Sequence, residues 1–217
     1  MRSQLSQRAP RGFTLVELLV ALLVMALLSL MSWRGLDGMA RAVAQNRARA
    51  DDVQALQSGL AQWGADLDAM ADGVSNVLDW NGQVLRITRR SADPADPALQ
   101  VVAWTVRGDT GQRQWLRWQS PPVHTRGDWQ NAWQQAAQWA QNADGAARRS
   151  EVPILPLRDW QLFFYRGDAW SNALSSGDAT AANPDAVRLV LQLAPGYPLS
   201  GSLTRDWVRS TLGTNKS

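Results

Sequence analysis

The chain contains no cysteine, a single histidine and a single lysine. Without cysteine there is no disulfide scaffold, thiolate metal site, iron–sulfur cluster or thiol nucleophile. With His124 as the only imidazole, a zinc site built from several histidines is excluded, and any serine–histidine mechanism would have to run through that one residue. Lys216 sits next to last in a polar tail, so a phosphate-binding loop ending in Gly-Lys-Ser/Thr and a Ser–Lys dyad both lack their essential residue. Excess charge is also missing from most of the chain. Arg2, Arg8 and Arg11 account for the whole net charge of +3, and everything beyond Gly12 is formally neutral, with no global field to steer a polyanion.

What is present suits one globular domain with a real core: 217 residues, 45% apolar and 19% charged. Ahead of it, residues 13–31 read FTLVELLVALLVMALLSLM, long enough to span a bilayer and ionisable only at Glu17. Leu30, Met31, Ser32 and Trp33 offer no small-residue cleavage site, so the apolar run is expected to stay in the mature chain. The arginines before it favour a cytoplasmic N-terminus with the C-terminal domain on the far side, although Arg34, Arg41, Arg47 and Arg49 weaken the asymmetry. A carboxylate inside such a segment costs on the order of 3 kcal/mol near the bilayer centre and calls for a partner.

The run Arg11-Gly12-Phe13-Thr14-Leu15-Val16-Glu17, entering an uninterrupted apolar helix, resembles the class III signal of type IV pilins and type II secretion pseudopilins. That resemblance implies that prepilin peptidase cuts between Gly12 and Phe13 on the cytoplasmic side and N-methylates Phe13. It also implies that Glu17 of one subunit pairs with the new amine of a neighbour, so that a buried charge gains its partner on assembly.

Beyond the apolar segment the helical pattern continues. Trp33, Leu36, Met39 and Val43 form one stripe, with Arg34, Asp37, Arg41, Arg47, Asp51 and Asp52 on the polar side. Val53, Leu56, Leu60, Trp63, Leu67 and Met70 form a second, at alternating steps of three and four. Gly35 and Gly38 are expected bend points. After Asp72-Gly73 the period changes to that of strands, predicted at Val84–Arg90, Leu99–Arg107, 112–119, 160–166, Ala186–Leu193 and 202–208. Asp93-Pro94, Asp96-Pro97, Gly108-Asp109 and Gly111 break the first group. Between the groups, Asp128 is the expected N-cap of a short helix carrying Trp129, Trp133, Ala136 and Ala140 on one face and ending by Gly145. The reading is an α+β, pilin-like fold: a long N-terminal helix, transmembrane in its first half, packed on an antiparallel sheet. Its divisions are a leader 1–12, a transmembrane segment 13–31, a periplasmic continuation of the helix 32–71 and a β-rich domain 72–217.

Further runs narrow the resemblance. Trp33-Arg34-Gly35-Leu36-Asp37-Gly38-Met39, Pro156-Leu157-Arg158-Asp159-Trp160 leading into Phe163-Phe164-Tyr165, Gly167-Asp168-Ala169-Trp170 and the strand Ala186-Val187-Arg188-Leu189-Val190-Leu191 are similar to the J-type minor pseudopilins of type II secretion. The tryptophan-rich helix at 128–142 departs from that pattern. This resemblance implies a structural role without catalysis or cofactor. The protein would sit in the inner membrane and join I-type and K-type minor pseudopilins in a pseudopilus tip complex that initiates a periplasmic filament for export of folded proteins. The alternative is a minor pilin of a type IV pilus or DNA-uptake system.

Rival signals each have a plainer reading. Arg113, Trp115 and Arg117 alternate on one strand face and suggest a stacking surface for single-stranded DNA or a sugar. The plainer reading, preferred for a neutral chain, is a solvent- or interface-facing surface with arginines over indoles, so nucleic acid is not an expected partner. Trp129, Trp133 and Trp139 read as packing or subunit contacts. Asp178, Asn183 and Asp185 suggest calcium, but their spacing fits no EF-hand, and a turn-rich connector is the expectation. Asp66, Asp68 and Asp72 read as solvated charges at a helix end rather than a hydrolytic pair, and His124 as an exposed turn residue. No metal ligand, cofactor site or catalytic residue is assigned.

Overall fold

A computed structural model describes residues 12–71, 77–108, 113–143, 145–175, 183–195 and 199–210. Helix α1 runs uninterrupted from Leu15 to Asp68, through Gly35 and Gly38. The chain divides into two compact units, one ending at Ala48 and one beginning at Arg49. The second unit holds the last turns of α1 and eight strands: β1 (Leu78–Trp80), β2 (Val84–Arg90), β3 (Leu99–Arg107), β4 (Gln114–Gln119), β5 (Glu151–Arg166), β6 (Ala169–Asn172), β7 (Ala186–Leu193) and β8 (Gly201–Val208). Between β4 and β5 lie helices α2 (Arg126–Gln141) and α3 (Gly145–Arg149).

All pairings are antiparallel, in the order β1-β2-β3-β4-β5-β7-β8, with β6 paired to β5. β5 joins the two halves of the sheet. Its first part pairs with β4 and its second with β7 and β6. The strand expected from the sequence, 160–166, covers only the second part; the first contains Pro153 and Pro156, which cannot donate to a ladder. The strand tolerates them beside an irregularity: Trp115 opposes Leu155 while Leu116 opposes Pro153, which leaves Ile154 as the extra residue of a β-bulge. β6 was also missed, being four residues long. It follows a two-residue turn in which Gly167 and Asp168 both have positive φ, 54° and 66°, the twist that suits a tight hairpin.

The two faces of the sheet bury different partners. On one, Leu56, Trp63, Leu67 and Met70 of the predicted helical stripe pack against Leu85, Ile87, Trp104, Trp115, Leu162 and Leu189. Gly59 lies on the same face because β5 comes too close for a side chain: a Cβ there would stand 2.4 Å from Ile154 Cγ2. On the other face α2 covers Val101, Ala103, Leu116 and Trp118 with Ala132, Ala136, Trp139 and Ala140. β3 is therefore sandwiched, which explains its nearly unbroken apolar run. The N-cap of α2 is Thr125 rather than Asp128. The Asp128 amide donates to Thr125 Oγ1 (3.1 Å) while that hydroxyl donates to Asp128 Oδ2 (2.7 Å), which places Asp128 at the third helical position of a reciprocal cap.

One correction bears on the whole assembly. Asp66, expected among solvated charges, is completely buried. Its carboxylate accepts five hydrogen bonds: from Gln62 Nε2 (3.0 Å), Arg89 Nη1 (2.6 Å), Trp104 Nε1 (2.9 Å), Arg117 Nε (2.8 Å) and Arg117 Nη2 (2.8 Å). The helix is thus tied to β2, β3 and β4 through one side chain. Asp68, one turn edge away and exposed, accepts from Trp207 Nε1 of β8 at 2.7 Å. Asp72 lies outside the described residues.

Removing one partner of a buried ion pair leaves the other charge uncompensated, at about 3–5 kcal/mol. Asp66→Asn should therefore lower stability by that amount in denaturant titrations of the detergent-solubilised protein, against about 1 kcal/mol for Asp68→Asn; equal losses would refute the central role of Asp66. A second prediction concerns pH. Arg188 spans β7 and β8 to Asp206 (Nε–Oδ1 2.8 Å, Nη2–Oδ2 2.7 Å), and this hydrogen bonding holds the Asp206 carboxyl below the usual carboxylate range. A depressed folded-state pKa contributes stability above the unfolded value near ~4 and loses it as pH falls through the folded value. The small deficit of Asp206→Asn in Tm at neutral pH should accordingly shrink as the pH is lowered below about 4.

Candidate functional site

The N-terminal unit is an apolar helix with nothing over it. An 18-residue window of α1 has mean hydropathy 2.5 and no burial at all. Leu15, Leu18, Leu22, Met25 and Met31 are all more than half exposed, an arrangement that water penalises by about 25 cal/mol per Å² of apolar surface. By length and composition it is long and apolar enough to cross a membrane. Trp33, Leu36, Met39 and Val43 continue as exposed residues on the same helix.

The residues singled out for processing and assembly lie at its start. Gly12 and Phe13 precede the first helical turn, Phe13 is 86% exposed, and a Cβ added at Gly12 would meet nothing within 4 Å. The Thr14 amide and hydroxyl both donate to Glu17 Oε2 at 2.9 Å, and the Glu17 amide donates back to Thr14 Oγ1 at 3.3 Å. Thr14 and Glu17 thus form a capping box that satisfies amides the helix start would otherwise leave unpaired. The spacing Thr14-x-x-Glu17 is the sequence signal of such a cap. Arg2, Arg8 and Arg11 lie outside the described residues.

The rival sites resolve differently. Trp115 is fully buried under α1, Arg117 is committed to Asp66, and Arg113 donates to the Arg158 carbonyl at 3.0 Å. Trp115 and most of Arg117 are therefore core beneath α1 rather than a stacking surface for nucleic acid, and only Arg113 stays partly exposed, as the plainer expectation had it for the whole face. The reason is that α1 needs an apolar floor, and Trp104 and Trp115 supply it, with ring centroids 4.7 Å apart. The tryptophans of α2 are packing residues: Trp129 Nε1 donates to Thr88 Oγ1 (2.9 Å), Trp139 Nε1 donates to Glu151 Oε2 (2.7 Å), and Arg86 lies 4.6 Å over the Trp133 ring. Arg107 also pairs with Glu151. His124 is exposed, 3.6 Å from Asp96. Asp178 is outside the described residues, and the Asp185 amide donates to the Tyr165 carbonyl. Among the described residues no group of three or more His, Asp or Glu side chains gathers as a metal site.

With this geometry in place, the N-terminal helix is consistent with the anchor of a membrane-attached protein. Residues 7–33 match the family model described as the prokaryotic N-terminal methylation motif. That motif is the prepilin-type signal, and with a long apolar helix followed by an antiparallel sheet it supports a pilin- or pseudopilin-type protein, structural rather than catalytic. It implies processing by prepilin peptidase and assembly with other pilins.

The capping box makes a local prediction. Thr14→Val removes the hydroxyl from both of its bonds and should cost about 1 kcal/mol of helix-end stability, seen as faster amide hydrogen exchange at residues 15–18 in micelles. Glu17→Gln, which retains an acceptor, should lie closer to the parent chain.

Proposed function

We propose that this protein is a J-type minor pseudopilin of type II secretion, anchored in the inner membrane by residues 13–31 with residues 32–217 in the periplasm. In this reading prepilin peptidase removes residues 1–12, cutting between Gly12 and Phe13, and N-methylates Phe13. The mature subunit then joins I-type and K-type partners at the pseudopilus tip, where the complex initiates the filament that drives folded proteins outward. The observation that carries the reading is the uncovered apolar helix opening on Gly12, Phe13 and Glu17 within the matched motif. The runs around Trp33 to Met39, Trp160, Trp170 and Arg188 support the J-type choice over a type IV minor pilin.

Chemistry supports the assembly role of Glu17. Both Thr14 bonds fall on Oε2, and Oε1 accepts none among the described residues. A second donor, the cationic amine of a neighbouring subunit's Phe13, has an acceptor waiting and would offset the cost of holding the carboxylate in lipid. The helix surface that water penalises is covered first by lipid and then by other subunits' helices.

Intact-mass measurement of the protein from its native membrane tests the processing step. The expected species begins at Phe13 with one added methyl; a chain retaining residues 1–12 would remove the filament mechanism. Gly12→Leu should leave the precursor uncut. Glu17→Val should be processed yet fail to co-isolate with I-type and K-type subunits, and normal secretion in that strain would count against charge pairing.

A further inference from the structure

Beside the buried Asp66 cluster, α1 and the bulged start of β5 meet at Gly59 and Ile154 and leave an opening alongside that contact. A cavity of about 330 Å³ opens between Ala55, Ser58 and Gly59 of α1 and Val152 and Ile154 of β5, with Arg117 also lining it. Its rim is mostly apolar, with Ser58 and Gln62 as polar lining residues besides Arg117, and Val152 is half exposed there. Its charged element is unusual. Arg117 commits Nε and Nη2 to Asp66 and Gln119, while Nη1 has no hydrogen-bond partner among the described residues and is not sealed from solvent. Two guanidinium groups, Arg89 and Arg117, share the one carboxylate of Asp66, so the cluster behind the cavity carries a net charge of +1 in a low-dielectric setting.

We infer that this cavity is a docking site for an acidic side chain set between apolar residues of a partner polypeptide. A carboxylate entering it takes the free Nη1 donor and balances the surplus buried charge, the arrangement in which a charge-assisted hydrogen bond is strongest. Flanking apolar residues cover Val152 and Ile154. A small inorganic anion would balance the charge and leave that rim wet, whereas a neutral apolar segment would cover the rim and leave the guanidinium without its counter-charge. The bulge at Ile154 and the absence of a side chain at Gly59 shape the opening, so the site is a product of the local fold. It lies wholly within the unit beginning at Arg49 and does not depend on the filament reading.

The chain has two isoleucines, one in the cavity and one, Ile87, in the fully buried core, so isoleucine methyl labelling gives a reporter and an internal control. The full-length protein in micelles would be titrated with leucyl-glutamyl-leucine amide, N-acetylated, and with its glutaminyl counterpart. The glutamyl peptide should shift the Ile154 methyl saturably in the millimolar range, leave Ile87 unmoved, and bind at least about tenfold more tightly than the glutaminyl peptide. Val152→Glu, a change at an exposed position that places a competing carboxylate at the rim, should weaken glutamyl binding by a similar factor without moving Ile87. Equal affinity of the two peptides would overturn the proposal, as would an unmoved Ile154. A change at Ile154 that depends on protein concentration without peptide would also overturn it, by showing that a second copy of the chain occupies the cavity.

Discussion

A single carboxylate holds the helix to the sheet. Asp66 takes hydrogen bonds from α1 itself and from three strands in succession, and it does so with no exposure to solvent. Apolar packing alone would let the helix slide or rotate over a sheet face built from large, adaptable side chains. Five directed bonds to one buried charge permit only one register, because any shift would leave a guanidinium or a carboxylate desolvated without a partner. The geometry of β2, β3 and β4 beneath the helix, the stacking of Trp104 under Arg117 and the opening beside Gly59 all follow from that constraint.

The near absence of lysine acquires a physical sense in this setting. The basic residues that matter structurally are arginines in bidentate or stacked roles: Arg117 on Asp66, Arg188 on Asp206 and over Trp170, Arg86 on Asp79 and over Trp133. A planar guanidinium can pair with a carboxylate and lie against an indole at once, which an ammonium cannot. The tryptophans around the sheet and the arginines that pair and stack with them therefore pack as one system, to which the exposed Trp33 does not belong. They do the work on both sheet faces that smaller aliphatic cores do elsewhere, with indole N–H groups tied to Asp66, Asp68, Thr88 and Glu151.

The helix changes character along its length. Through Met31 it presents apolar side chains outward and satisfies its interior amides along its own backbone, as a bilayer would require, and from Arg34 charged residues join the exposed surface. From Arg49 onward the same helix presents an apolar stripe to a sheet and polar residues to water. Glu17 and Asp66 make the parallel plain. Each is a carboxylate in an apolar setting; Asp66 finds its cations within the chain, whereas Glu17 has only the partial satisfaction of its own helix cap.

Much of this was legible in the residues. The apolar run at 13–31, the motif around Gly12 and Glu17, the stripe from Leu56 to Met70 and the bounds of β2, β3 and β7 all depend on periodicity and local chemistry, which a linear chain displays directly. What remained hidden depended on residues far apart meeting. Nothing near Asp66 in the chain announces that Arg89, Trp104 and Arg117 will converge on it, so a helix-end aspartate read as solvated. The alternation of Arg113, Trp115 and Arg117 is the same whether the face meets water or a helix, and only the packing of α1 decided that Trp115 and Arg117 are core. The first part of β5, with its two prolines, shows no strand pattern in the sequence, and only the bulge at Ile154 showed how an irregular ladder accommodates it. Local sequence thus determined the apolar run, the helical stripe and most of the strands, while the burial of charge and the choice of face were decided by tertiary contact, because desolvation is a property of the surroundings and not of the residue.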